Sequence, residues 1–187
     1  MHQDNWSLKA KKMGYRSRAV FKLEEILLKL HKNQINKVLD LGSAPGGWSQ
    51  FIINKYPHSK IIAVDILDME PIDGVHFIKK SIEDIDSIQL INSQKGKFDL
   101  VISDIAPNLT GISAVDNENI YELNKITINL ANIYLSEANS AVVIKTFQNN
   151  NFKSLKKEME LFFKIVQTYK PAASKNKSAE TYLYGAR

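Results

Sequence analysis

Short apolar runs and longer amphipathic stretches alternate along the chain. VLDLG (38–42), KIIAVDI (60–66), VHFI (75–78), FDLVISD (98–104) and AVVIKTF (141–147) are rich in branched apolar residues at successive positions. Runs this short, apolar on both sides, predict strands buried on both faces of a sheet. KIVQTYK (164–170) and TYLYGA (181–186) read as two closing strands. Between the runs the period changes. Ser17 caps a helix to about His31, with Ala19, Val20, Leu23, Ile26, Leu27 and Leu30 on one face. Further helices are predicted from Gly47 to about Lys55, over Ile85–Ile91, from Asn117 to about Glu137 and over 151–163. In the longest, Ile120, Leu123, Ile126, Leu130 and Ile133 form a stripe expected to cover the sheet. The alternation predicts an α/β fold, with a mainly parallel seven-stranded sheet and helices on both faces. The last two strands follow each other without a helix, so one late strand is expected to run against the rest. Ligands of such sheets bind beyond the carboxyl ends of the strands, where Asp40, Asp65 and Asp104 lie.

Length and composition narrow the chemistry. A chain of 187 residues suits one domain, expected here over 1–187, with a basic arm at 1–16 and a core at 17–187. It has no cysteine, which excludes disulfides, a thiol nucleophile and thiolate-held metals. His2, His31, His58 and His76 are scattered without metal-ligand spacing, so no metal is expected. No apolar run approaches the roughly 20 residues that span a bilayer, so no membrane partner is expected. The net charge of +5 divides unevenly. Residues 1–37 hold nine basic and three acidic residues, 38–152 eight and fourteen, and 153–187 eight and three. Two basic ends around an acidic middle suggest surfaces for a polyanion flanking a centre with other work.

Three of the eight glycines fall in DLGSAPGGWSQ (40–50), between a strand and a helix. Glycines there let a ligand approach the backbone and meet a helix N-terminus. The spacing is neither a phosphate-binding loop nor the G-x-G-x-x-G of nicotinamide enzymes. With Asp65 ending the next strand, it reads as a site for an adenosine-containing cofactor.

DLGSAPGGWSQ resembles the S-adenosylmethionine loop of the FtsJ/RrmJ family of RNA 2′-O-methyltransferases. YRSRAVFKL (15–23), SDIAPNLTG (103–111), VVIKTFQ (142–148) and SAETYLYG (178–185) resemble that family in the same order. The resemblance implies a Rossmann-like methyltransferase fold and a catalytic tetrad of Lys22, Asp104, Lys145 and Glu180. It implies that Gly42, Gly46, Gly47 and Trp48 line the methionine side of S-adenosylmethionine, and that Asp65 holds its ribose. Ile66, Ser81 and Ile82 would flank the adenine, and Asp104 would lie near the sulfonium. One departure stands out: where the family places glycine and aspartate for the adenine amino group, this chain has Lys80 and Ser81. Lys145 would assist the attacking hydroxyl, as a base or by stabilising the developing oxyanion. Sulfonium is already an activated donor, so the chemistry needs no metal.

Lys9, Lys11, Lys12, Arg16 and Arg18, interleaved with Trp6 and Tyr15, form a basic run suited to phosphates and stacked bases. Lys175 and Lys177 form a second group before Glu180. Among the family's substrates, the compact form of this chain is most similar to enzymes that methylate a uridine of large-subunit ribosomal RNA, expected to act as monomers on a ribosomal particle. A transfer-RNA enzyme of the same family, or a non-catalytic ribosome-assembly factor on the same fold, are the alternatives. A cytoplasmic or organellar site would suit either kind of ribosome.

Overall fold

The computed structural model describes residues 5–29, 34–107, 110–174 and 178–187. His2, His31, Asn108, Lys175 and Lys177 lie outside the described residues. Seven strands form one sheet: β1 (Lys37–Leu41), β2 (Lys60–Asp65), β3 (Val75–Lys79), β4 (Leu100–Ser103), β5 (Ala141–Phe147), β6 (Ile165–Tyr169) and β7 (Glu180–Ala186). Their order is β3-β2-β1-β4-β5-β7-β6. β7 pairs antiparallel with both β5 and β6, while the pairings from β3 to β5 are parallel. One strand therefore runs against the other six, as the helix-free connection predicts.

The two-residue period of each strand sorts its side chains between two layers. Val38, Leu100, Ile102, Ala141, Val143, Tyr182 and Tyr184 pack with α1 (Asn5–Lys12), α2 (Val20–Lys29) and α3 (Gly47–Lys55). Leu39, Leu41, Val101, Val142, Ile144 and Leu183 pack with α5 (Ser113–Tyr134) and α6 (Phe152–Glu160). By the same alternation, Asp40 and Lys145 fall on the α2–α3 side. No helix among the described residues is long and apolar enough to cross a membrane.

Several boundaries differ from expectation for identifiable reasons. Residues 85–91 are not one helix but a 3₁₀ helix, Ile82–Ser87, followed by the short α4, Gln89–Asn92. Ile82, Ile85, Ile88 and Ile91 are all buried and recur every third residue, the period of a 3₁₀ helix. The first long helix begins at Val20 rather than Ser17. The Ser17 hydroxyl instead accepts from the Ala19 N–H at 3.0 Å, closing a turn ahead of the helix. α5 starts four residues earlier than expected, because Asp116 in its first turn accepts from Thr110 N–H, Thr110 Oγ1 and Gly111 N–H. It stops at Tyr134 because Leu135 bridges to Phe98. Its core face runs through Ile120, Asn124, Thr127, Ile128, Ala131 and Tyr134, which leaves Ile133 on the rim at 40% exposure. The expected basic arm is partly the helix α1, docked through Ala10.

Candidate active site

The loop after β1 is built around absent side chains. Gly42 has φ +71°, and a Cβ there would fall 2.1 Å from Ile105 Cγ1. Gly46 has φ +99°, and its Cβ would meet Ile72 at 2.7 Å and Met69 at 2.9 Å. Asp65, from the end of β2, staples the loop: its Oδ2 accepts from Ala44 N–H at 2.8 Å and its Oδ1 from Leu67 N–H at 2.9 Å. The Trp48 indole N–H donates to the Ala19 carbonyl at 2.8 Å, which ties α3 to the turn before α2. The result is a small pocket lined by Ser17, Asp40, Ser43, Gly47, Trp48 and Asp104 among others. Gly42→Ala is expected to destabilise the protein by about 2–3 kcal/mol, from overpacking against Ile105 and from the positive φ. Urea unfolding checks this, and an unchanged midpoint would show that Ile105 simply moves aside.

At the mouth of this pocket the four charged residues meet in two pairs. Lys145 Nζ, near the end of β5, is 3.2 Å from Asp104 Oδ1 and also donates to the Asp104 carbonyl. Lys22 Nζ, on α2, is 2.7 Å from Glu180 Oε1. Both lysines are buried, at 5% and 8% exposure, a placement that is costly for an ammonium without partners. Strand direction makes the meeting possible. β7 is antiparallel, so its first residue, Glu180, pairs with Phe147 at the carboxyl end of β5, two positions beyond the Lys145–Tyr182 pair.

Tyr182 joins the two pairs. Its hydroxyl donates to Asp104 Oδ1 at 3.1 Å, and its ring lies 5.8 Å from Lys22 Nζ and 5.9 Å from the Trp48 ring. Burial, reinforced by the charges of Asp104 and Glu180, pushes its phenol far above the usual range, so it stays a neutral donor. Burial also pushes the Glu180 carboxyl up, but hydrogen bonds from Lys22 and Ser174 and the charges of Lys22 and Lys145 outweigh it. The net effect holds Glu180 below its ordinary value. Ser174 Oγ supplies its bond at 2.8 Å.

Residues 15–187 match the family described as FtsJ-like methyltransferase. The chain belongs to that family. Ribosomal RNA large subunit methyltransferase E of Dechloromonas aromatica is 37% identical over 97% of this chain and 90% of its own length. Its counterpart from Wigglesworthia glossinidia brevipalpis is 38% identical with the same coverage of both chains. A crystal structure described as a ribosomal RNA methyltransferase from Plasmodium falciparum superposes with TM-score 0.78 at 29% identity, covering 92% of this chain and 98% of that one.

Other expected site residues of this FtsJ-like methyltransferase are placed unevenly. Ile66 is 63% exposed, just beyond Asp65. Ser81 Oγ accepts from the Glu83 N–H at 3.3 Å and caps the 3₁₀ helix, while Ile82 is committed to the core. Arg16 does not project toward a polyanion. Its guanidinium donates to the carbonyls of Pro45, Glu70 and Pro71, clamping the loop after β2 against the glycine loop. Arg18 is half-buried. Trp6 and Tyr15, expected to stack on bases, instead pack on Phe21, with ring centroids at 5.3 and 6.2 Å. Lys9 Nζ lies 4.5 Å from the Phe21 ring centroid. Lys11 and Lys12 are exposed on the last turn of α1. Sequence pattern gave no sign of Ser17, Ser43, Ser174 or Tyr182, since hydroxyls carry little positional signal. Asp40 was visible as a charge inside an apolar strand.

Proposed function

We propose that this methyltransferase moves a methyl group from S-adenosylmethionine to a ribose 2′-hydroxyl of RNA, at a uridine of large-subunit ribosomal RNA. The observation that carries it is the convergence of Lys22, Asp104, Lys145 and Glu180 at the mouth of a glycine-lined pocket. The pocket suits the cofactor. Its glycines cannot carry a Cβ without collision, and two buried oxygens in it, Asp40 Oδ1 and Ser43 Oγ, have no partner within the protein. Its acidic side chains favour a cation. Bound there, S-adenosylmethionine supplies an activated methyl group. Lys145 stands where an attacking hydroxyl must lose its proton, held in place by both the carbonyl and the carboxylate of Asp104. Lys22 and Glu180 neutralise each other and add a cation and a carboxylate beside it, and Tyr182 fixes the Asp104 carboxylate. The names of the relatives support ribosomal RNA as substrate.

The test is transfer of labelled methyl groups to isolated ribosomal RNA, large-subunit precursor particles and transfer RNA in parallel, with the product nucleotide mapped. A 2′-O-methyluridine in large-subunit RNA is expected; label confined to transfer RNA would overturn the substrate assignment. Lys11→Glu with Lys12→Glu is expected to weaken RNA binding several-fold. It should also flatten the salt dependence by about two phosphate contacts, each worth roughly 0.7–0.9 in log–log slope. Filter binding across a salt series reads both quantities, and an unaltered slope would move the RNA path away from α1.

A further inference from the structure

Asp40 has no part in the arrangement above, yet it occupies the floor of the same pocket. It sits on β1 between Leu39 and Leu41 and is 1% exposed. Ser49 Oγ, from α3, donates to its Oδ2 at 2.6 Å. Its Oδ1 accepts no hydrogen bond within the protein. The neighbouring charges offer no counter-ion. Asp65 from β2 and Asp104 from the end of β4 are both carboxylates that act on it unfavourably. The lysines on adjacent elements are committed elsewhere, Lys145 of β5 to Asp104 and Lys22 of α2 to Glu180. The Trp48 N–H of α3 goes to the Ala19 carbonyl and the Tyr182 hydroxyl of β7 to Asp104. Burial, with the two carboxylates behind it, therefore raises the Asp40 carboxyl to about 7, against the pull of the Ser49 hydrogen bond.

A half-satisfied acid lining a pocket awaits a positive charge. We propose that Asp40 is a further cofactor-binding residue, whose carboxyl group releases its proton when S-adenosylmethionine enters and regains one when S-adenosylhomocysteine is left. This rests on the cofactor assignment proposed above. The donor carries an ammonium, a sulfonium and a carboxylate, and so a net positive charge. The product has lost the sulfonium charge and is neutral overall. The proton balance is simple: the carboxyl proton passes to solvent on donor binding, and one returns from solvent after transfer. It is separate from the proton that the ribose hydroxyl gives up. Asp40 thereby favours donor over product by charge alone, in a pocket where the two differ by one methyl group.

Titration calorimetry in two buffers of equal pH but different ionisation enthalpy counts the protons. Near pH 7 the wild-type protein is expected to release about half a proton per S-adenosylmethionine bound, and clearly less with S-adenosylhomocysteine. Donor affinity should rise with pH below about 7, by up to about tenfold per unit, and level off above it. Asp40→Asn, nearly isosteric, should release none and lose this pH dependence, while a melting curve confirms that it folds. Ser49→Ala removes the one hydrogen-bond donor and should move the whole dependence to higher pH. No proton release by the wild type, equal release with donor and product, or undiminished release in Asp40→Asn would each overturn the proposal. Absence of any donor binding would instead overturn the cofactor assignment, and this proposal with it.

Discussion

Lys145→Ala is expected to reduce methyl transfer by about 10³-fold or more, while cofactor affinity stays within a few-fold of wild type. The size follows from what the ammonium does. A positioned acid–base group, or a fixed charge at a developing oxyanion, typically contributes 10²- to 10⁴-fold. Lys145 is 8% exposed and is fixed by two oxygens of one residue, so no flexible neighbour replaces it. The cofactor pocket survives the change, because the glycine loop is held by Asp65 and Asp104 keeps its bond from Tyr182. Lys145→Arg separates the two roles. A guanidinium keeps the charge but does not act as a base. Substantial turnover in the arginine variant would assign Lys145 to charge stabilisation, and none would assign it to proton transfer. Single-turnover rates with saturating donor, alongside calorimetric affinities, make the comparison. Near-wild-type rates in Lys145→Ala would remove it from the reaction.

Lys22→Ala is expected to cost about 3–5 kcal/mol of stability as well as activity. It leaves Glu180 buried without its main partner, and breaking a buried pair by removing one member carries a penalty of that order. For a chain of this length the midpoint of thermal unfolding should fall by about 6–15 °C. Glu180 has its pKa lowered in the folded protein, so it contributes stability above its unfolded value, and that stability is lost as pH falls through the folded value. The gap between wild type and variant should accordingly narrow in acid, below the ordinary carboxylate range. Adding Glu180→Gln to Lys22→Ala should recover part of the loss, because the stranded charge is gone. Additive losses in that double-mutant cycle would mean that the two residues act independently, despite their 2.7 Å separation.

How much of this was legible depended on whether a signal was local. The buried strands declared themselves because both faces are apolar, and the antiparallel β7 followed from the missing crossover helix. Lys145 and Asp104 stood out because each is a charge in or at the end of an apolar strand. Lys22 and Glu180 did not stand out by themselves. Each reads as an ordinary surface charge until the antiparallel pairing carries Glu180 across to the end of β5 and α2 lays Lys22 beside it. The 3₁₀ helix was missed although its signature was present, because isoleucines at every third position are easily taken for a short amphipathic α-helix. Trp6 and Tyr15 were misassigned for a different reason. Aromatics among lysines suit stacking on bases and packing on Phe21 equally well, and only tertiary contacts decide. Arg16 is similar: its charge suggested a phosphate, and three backbone carbonyls claimed it.

The position of β7 has a consequence for biosynthesis. The strand latest in the sequence lies inside the sheet, between β5 and β6, and not at its edge. Until residues 180–186 leave the ribosome, β6 has no strand to join, β5 has an open flank, and Lys22 and Lys145 lack the carboxylate that completes their surroundings. A nascent chain can thus assemble most of its cofactor pocket before it has a working active site. Catalytic competence arrives in one late step of synthesis, and a chain that ends a few codons before Glu180 loses both the seam of the sheet and the chemistry.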